Sequence, residues 1–110
     1  MNILLTCSAG MSTSMLVECM SQYCRKEHKK YNIWTVDQGI LENELEVKEV
    51  DVVLLGPQVR HILKRVKKIC EGTIPVAIIR DSDYGTLNGK AVVQYAEELV
   101  LEFHETKGDV

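Results

Sequence analysis

The chain has 110 residues, which is enough for one domain with a single core. Hydrophobic residues make up 45% and charged residues 26%, an ordinary balance for a soluble globular protein. The net charge of −3 argues against nucleic acid as a partner, because the chain has no electrostatic attraction for a phosphate backbone. The apolar runs at residues 52–55 and 74–79 are too short to cross a bilayer, and residues 3–5 are too few for a signal peptide. We therefore expect a cytoplasmic protein without direct membrane insertion.

The four cysteines, Cys7, Cys19, Cys24 and Cys70, are expected to stay reduced in that compartment. Their spacing contains no C-x-x-C pair, and the three histidines are scattered singly along the chain. The sequence therefore predicts no disulfide framework, no metal site and no cofactor. Cys19, Cys24 and Cys70 fall on apolar helical faces, so each of them is predicted to fill the core.

Short apolar runs alternate with helical patterns along the chain. Strands are predicted at residues 2–6, 32–36, 51–55 and 74–79. Amphipathic helices are predicted at residues 13–27, at 59–70 with Gly72 closing the helix, and after Gly89; residues 38–49 favour a short acidic helix, and residues 81–89 are rich in turn residues. The order βαβαβαβα predicts an α/β fold, a four-stranded parallel sheet with helices on both faces. We expect one domain at residues 1–105 and a polar C-terminal tail at 106–110.

Ligands of such sheets bind in the loops at the carboxyl ends of the strands, here residues 6–13, 37–39, 56–58 and 80–89. The first of these loops carries Cys7 at its start and leads into a helix N-terminus, where unpaired N–H groups favour a thiolate and bind anions. Small or hydroxylic residues follow the cysteine, so backbone amides can surround an anion, and Glu18 is the first charged residue after it. The sequence therefore predicts Cys7 as a nucleophile and a phosphate-binding loop of Ser8, Ala9, Gly10, Met11, Ser12, Thr13 and Ser14.

Other chemistries also fit a cysteine in this position. The loop and the sheet resemble those of low-molecular-weight tyrosine phosphatases, whose C-x5-R-[ST] motif uses the arginine to clamp the phosphoryl group. Counted from Cys7, that position is held by Thr13, so the clamp is absent and a thiophosphate should be hydrolysed poorly. A thiol redox protein is a further alternative, although no resolving cysteine lies nearby in sequence. The plainest alternative is a strand-to-helix turn without chemistry.

The sequence CSAGMSTS at residues 7–14 resembles the enzyme IIB component, lactose/cellobiose type, of the phosphoenolpyruvate-dependent sugar phosphotransferase system. DVVLLGPQ at residues 51–58, and Tyr84-Gly85 followed by Gly89, also resemble that family, so the likeness covers nearly the whole chain. The resemblance implies that Cys7 accepts a phosphoryl group from a phosphohistidine of a IIA partner. It implies further that Cys7 passes the group to a sugar of the β-glucoside or disaccharide class on the membrane-embedded IIC permease. The protein would then lie at the inner face of the membrane through IIC.

Four other residues near the strand ends are candidates for the site. Gln58 could donate its amide to a phosphoryl group, although Gly56-Pro57-Gln58 also fits a plain strand-to-helix turn. Tyr84 could reach the phosphoryl group through its hydroxyl or pack over the loop. Asp81 and Asp83 lie where a phosphatase keeps a general acid, but without the clamping arginine they fit solvated turn carboxylates better.

Overall fold

Four parallel strands form one sheet in the order β2-β1-β3-β4 in the computed structural model, which describes residues 1–8 and 11–108. The strands are β1 (Asn2–Cys7), β2 (Asn32–Asp37), β3 (Val52–Leu55) and β4 (Val76–Ile78). Strand β1 is central, with β2 and β3 paired in parallel on either side of it. The predicted α/β fold with a four-stranded parallel sheet is confirmed.

The helices are α1 (Met11–Lys26), α2 (Leu41–Val47), α3 (Leu63–Cys70), α4 (Asp81–Gly85) and α5 (Gly89–Gly108). Short 3₁₀ segments, Gln38–Ile40 and Pro57–Ile62, lead into α2 and α3. Helix α2 is the acidic helix expected within residues 38–49. Among the described residues, no helix combines the length and the apolar character that a membrane span requires.

Both faces of the sheet are covered, because neighbouring residues of a strand point to opposite sides. Ile3 and Leu5 of β1 pack with α1 and α5 on one face, in a core that includes Leu16, Met20 and Ala96. On the other face, Leu4 packs with residues of the segment that runs from α2 to α3, in a core that includes Leu41, Val53, Val59 and Val66. The sheet is thereby buried between two helical layers, and the carboxyl ends of its four strands lie together at one edge.

The structure corrects three details of the secondary structure that the sequence predicted. Residues 57–62 are 3₁₀ rather than α-helical, since Pro57 opens the segment and Val59 has non-helical angles. Strand β4 begins only at Val76, because Pro75 has no N–H to give to the ladder. Residues 81–85 form α4 instead of turns, with two aspartates in the first turn, where the helix dipole favours them. Helix α5 runs from Gly89 to Gly108.

Helices α1 and α5 approach each other closely at Gly89. A Cβ atom at this position would lie 2.5 Å from the carbonyl carbon of Cys19 and 2.6 Å from the backbone nitrogen of Met20. Backbone atoms cannot move aside as a flexible side chain can, so only glycine fits here. The N-terminus of α5, and the chain segment from α4 that leads into it, are therefore held against α1.

Gly89→Ala should destabilise the protein by about 1–3 kcal/mol, the usual cost of forcing extra atoms into a packed contact. The control is Gly85→Ala, because nothing lies within 4 Å of a Cβ atom at Gly85. Urea unfolding of the two variants beside the wild type measures the difference. Equal stability of the two variants would mean that α1 and α5 do not meet at this distance.

Candidate active site

Cys7 is the last residue of β1, the central strand, and pairs in register with Asp37 of β2. Its side chain is buried, with 2% of the residue exposed. The backbone N–H of Gly56 donates a hydrogen bond of 2.9 Å to the carbonyl oxygen of Thr6, so the turn after β3 lies directly beside the cysteine. The sequence placed Cys7 at this edge of the sheet, but it did not show how deeply the residue is buried.

Gly56 brings the turn after β3 into contact with Cys7. A Cβ atom on Gly56 would lie 3.6 Å from the Cβ atom of Cys7 and 2.8 Å from the Oε1 atom of Gln58. The exposed Gln58 side chain therefore folds back over Gly56. The structure thus brings together Cys7 and Gln58, two of the residues predicted for the site.

The first turn of α1 begins four residues after Cys7 and contains no acidic residue. A helix of 16 residues carries partial positive charge at this end, so an anion beside its first turn is stabilised. Ser8, Ser12 and Ser14 are exposed, whereas Thr13 is fully buried. Ala9, Gly10 and the side chain of Met11, which belong to the predicted phosphate-binding loop, lie outside the described residues.

The hydroxyl groups of Thr13 and Tyr84 lie 3.0 Å apart and share a buried hydrogen bond. Thr13 belongs to the first turn of α1 and Tyr84 to α4, so the bond joins the loop after β1 to the loop after β4. The Tyr84 ring is 8% exposed and packs in the core with α1 and α5. Tyr84 therefore lies against the predicted phosphate-binding loop, with its hydroxyl bonded to one of the loop residues.

The two aspartates of α4 differ in their surroundings. Asp81 is exposed and forms an ion pair of 2.9 Å with Arg60, whose Nε–H also donates to the carbonyl oxygen of Pro57. Asp83 is half-buried in the same helix. The Arg60–Asp81 pair thus connects the turn after β3 to α4 on the surface, where such a pair contributes little to stability.

Two of the remaining three cysteines, Cys24 and Cys70, have thiols that are harder to deprotonate than an ordinary thiol. Burial raises the pKa of the Cys70 thiol, and burial together with the negative charge of Glu97 raises the pKa of the Cys24 thiol. Both thiols are buried, as predicted, whereas Cys19 is only half-buried. Within residues 1–8 and 11–108, no group of three or more histidine, cysteine, aspartate or glutamate side chains could hold a metal ion.

Residues 2–95 match the family model of the lactose/cellobiose-specific IIB subunit of the sugar phosphotransferase system. The chain belongs to this family. It is thus a phosphotransferase domain of a system that takes up sugars.

The IIB relatives are named for different sugars. The galactose-specific EIIB component of Lactococcus lactis subsp. cremoris is 37% identical over 102 residues, which cover 89% of this chain and 94% of the relative. The oligo-beta-mannoside-specific EIIB component of Bacillus subtilis is 34% identical over 100 residues, covering 90% and 95%. The solution structure of the cellobiose-specific IIB component from Borrelia burgdorferi is 41% identical, covers 93% of each chain and superposes with a TM-score of 0.75. These relatives have similar sequence identity to this chain but are named for different sugars, so sequence similarity alone does not identify the sugar of this chain.

The sequence did not predict the contact between Thr13 and Tyr84. The two residues are 71 positions apart, and neither lies in a pattern that joins them. The sequence offered Tyr84 as a residue that could pack over the loop, and the parallel strands bring both loops to one edge, but no pattern singled out Thr13 as its partner.

Substitution of Gly56 tests whether the space beside Cys7 is needed for the reaction at the cysteine. Gly56→Val places methyl groups between the cysteine and the Gln58 side chain, so we expect phosphorylation of Cys7 to slow by roughly tenfold or more, since small misplacements in an active site are costly. The φ angle of −61° suits valine, and the closest atom belongs to a flexible side chain, so the fold should persist. Denaturant unfolding checks the fold, and the rate of phosphate incorporation checks the site. A well-folded variant that is phosphorylated at the wild-type rate would show that this space is not used.

Proposed function

We propose that Cys7 accepts a phosphoryl group from a phosphohistidine of a IIA partner and passes it to a sugar bound by the IIC permease. The observation that carries the proposal is the position of the cysteine. It ends the central strand, beside the N-terminus of a long helix whose first turn contains no acidic residue. The resemblance of residues 7–14 to the family motif supports the same assignment.

The transfer has two steps. In the first, the Cys7 thiolate attacks phosphorus, an S–P bond forms, and the N–P bond of the phosphohistidine breaks with its electron pair left on the imidazole. In the second, a sugar hydroxyl oxygen attacks phosphorus, the S–P bond breaks, and the thiolate is restored. The proton of the sugar hydroxyl leaves to a base outside this chain. Phosphate and charge are thus conserved in each step, and no cofactor is needed.

The residues at 8–14 would hold the phosphoryl group while it waits for its acceptor. Backbone N–H groups at the start of α1 and the hydroxyls of Ser8, Ser12, Thr13 and Ser14 are neutral donors, which stabilise a dianion. The half-charge of the helix N-terminus adds to this stabilisation. Since no arginine clamps the group, the S–P bond is not polarised for attack by water as it is in a phosphatase.

The sugar and the place of action follow from the proposed partners. The IIC permease binds the sugar, so this chain acts at the inner face of the membrane through IIC. We propose a sugar of the β-glucoside or disaccharide class, consistent with the lactose/cellobiose family and with the names of its relatives.

The carrier and phosphatase functions can be separated by hydrolysis of an aryl phosphate. Because Thr13 stands where the phosphatase motif has its arginine, we expect negligible turnover of p-nitrophenyl phosphate. The release of p-nitrophenol is followed by absorbance, with Cys7→Ser as the blank. A steady turnover that is lost in Cys7→Ser would favour the phosphatase instead.

The role of Cys7 in transport can be tested with membranes that contain the permease. Cys7→Ser should abolish formation of sugar phosphate from phosphorylated IIA, because a serine hydroxyl is a far weaker nucleophile than a thiolate. Cys19→Ser, which removes a half-buried thiol from α1, is the matched control and should keep the wild-type rate.

One further measurement separates a loss of chemistry from a loss of association. Binding of Cys7→Ser to IIA, measured by calorimetry, should equal that of the wild type, so that the loss lies in chemistry rather than in association. Undiminished sugar phosphate with Cys7→Ser would remove Cys7 from the phosphoryl path and leave the loop as a strand-to-helix turn.

A further inference from the structure

The buried hydrogen bond between Thr13 and Tyr84 leaves one hydroxyl proton without a described acceptor. Two hydroxyl groups carry two protons, and the bond of 3.0 Å uses only one of them. Within the described residues 1–8 and 11–108, neither hydroxyl has another hydrogen-bond partner. Both residues are buried, so water does not readily satisfy the remaining proton.

The acidity of the two groups determines which proton remains. A phenol has a pKa of about 10 and is a much stronger acid than an aliphatic alcohol, so it is the better donor and the poorer acceptor. We therefore take Tyr84 as the donor to the Thr13 oxygen, which leaves the Thr13 proton with no acceptor among residues 1–8 and 11–108.

Thr13 lies in the first turn of α1, which follows Cys7 in the chain. Thr13, Leu16 and Met20 are all fully buried and occupy one face of α1, which packs on the sheet. Side chains on a helix lean toward its N-terminus, so the Thr13 side chain leans toward the end of α1 that follows Cys7 in the chain. A threonine near a helix start has two favourable side-chain rotamers, and a fixed partner selects one of them.

We propose that Tyr84 is a positioning residue: by donating to Thr13 it fixes the Thr13 hydroxyl so that this group donates to the phosphoryl group on Cys7. The inference rests on the proposed function, since it needs a phosphorylated Cys7. Tyr84 does not touch the phosphoryl group itself. It acts through Thr13. Its hydrogen bond to Thr13 strengthens the bond from Thr13 to the phosphoryl group, because hydrogen bonds in a chain polarise one another.

The scaffold around Tyr84 is suited to this task. Tyr84 lies in α4, and its carbonyl oxygen accepts from the N–H of Leu87, which has a positive φ of 53° and turns the chain toward α5. Asn88 then accepts from the N–H of Ala91 in the first turn of α5. On the other side, the exposed ion pair between Asp81 and Arg60 connects α4 to the turn after β3. Helix α4 is thus linked at both ends to neighbouring segments.

The test compares Tyr84→Phe, Thr13→Val and the double variant, each of which removes a hydroxyl and keeps the shape of the side chain. Tyr31→Phe is the matched control, since it removes a tyrosine hydroxyl that donates to Glu97, among residues that pack away from the loop. All variants are phosphorylated with phosphorylated IIA. The pKa of the phosphocysteine is then measured from its ³¹P chemical shift as a function of pH.

We expect Tyr84→Phe to raise the pKa of the phosphocysteine, because a donor to the dianion has been weakened, and to slow phosphorylation by roughly tenfold. Thr13→Val should raise this pKa at least as much. The double variant should match Thr13→Val, because Tyr84 has no effect when the Thr13 hydroxyl is absent. Tyr31→Phe should titrate as the wild type does.

Three outcomes would overturn the inference. One is a Tyr84→Phe phosphocysteine that titrates like the wild type, and another is additive effects of the two substitutions, which would mean that the residues act separately. The third is a wild type that takes up no phosphate on Cys7, which defeats the proposed function and this inference with it. If the wild type is phosphorylated on Cys7 and the phosphocysteine of the variants titrates as it does in the wild type, the inference alone has failed. Denaturant unfolding checks that the variants are folded.

Discussion

Strand β1 is hydrogen-bonded on both sides, to β2 over Asn2–Cys7 and to β3 over Ile3–Thr6. A strand held in this way cannot shift by one residue without moving its apolar side chains to the wrong faces of the sheet. The register therefore fixes Cys7 at the carboxyl edge, next to Gly56 and before the first turn of α1. Every other part of the site is placed relative to this strand end, because the connections that follow β1, β3 and β4 all begin at the same edge.

At this edge the chain presents neutral hydrogen-bond donors where a related phosphatase motif has a cation. Thr13 occupies the position of the clamping arginine, and its hydroxyl is bonded to that of Tyr84. A guanidinium stabilises charge that develops as a phosphoryl group leaves, which speeds hydrolysis. Hydroxyls and backbone amides hold the dianion more weakly, and this difference fits a group that must be kept for an acceptor. In the proposed function, Thr13 in place of the arginine, together with its contact to Tyr84, favours storage of the phosphoryl group over its hydrolysis.

The sequence predicted the fold because the buried strands and the amphipathic helices have clear local periods. It also predicted the position of Cys7, since a strand end followed by small residues and a helix start is a local pattern. It did not predict α4, whose five residues are rich in turn formers and depend on Tyr84 packing in the core. Nor could it predict that Thr13 meets Tyr84 or that Gln58 folds back over Gly56, because such contacts depend on how separate loops pack in three dimensions.

The central claim is that Cys7 carries the phosphoryl group, and mass spectrometry of the intact chain tests it most directly. After incubation with phosphorylated IIA, we expect one phosphate per chain, and fragmentation should locate it on the peptide that contains Cys7. Cys24 and Cys70 should remain unmodified, because burial raises the pKa of both thiols. A phosphate on any other residue, or none at all with an active IIA donor, would contradict the account.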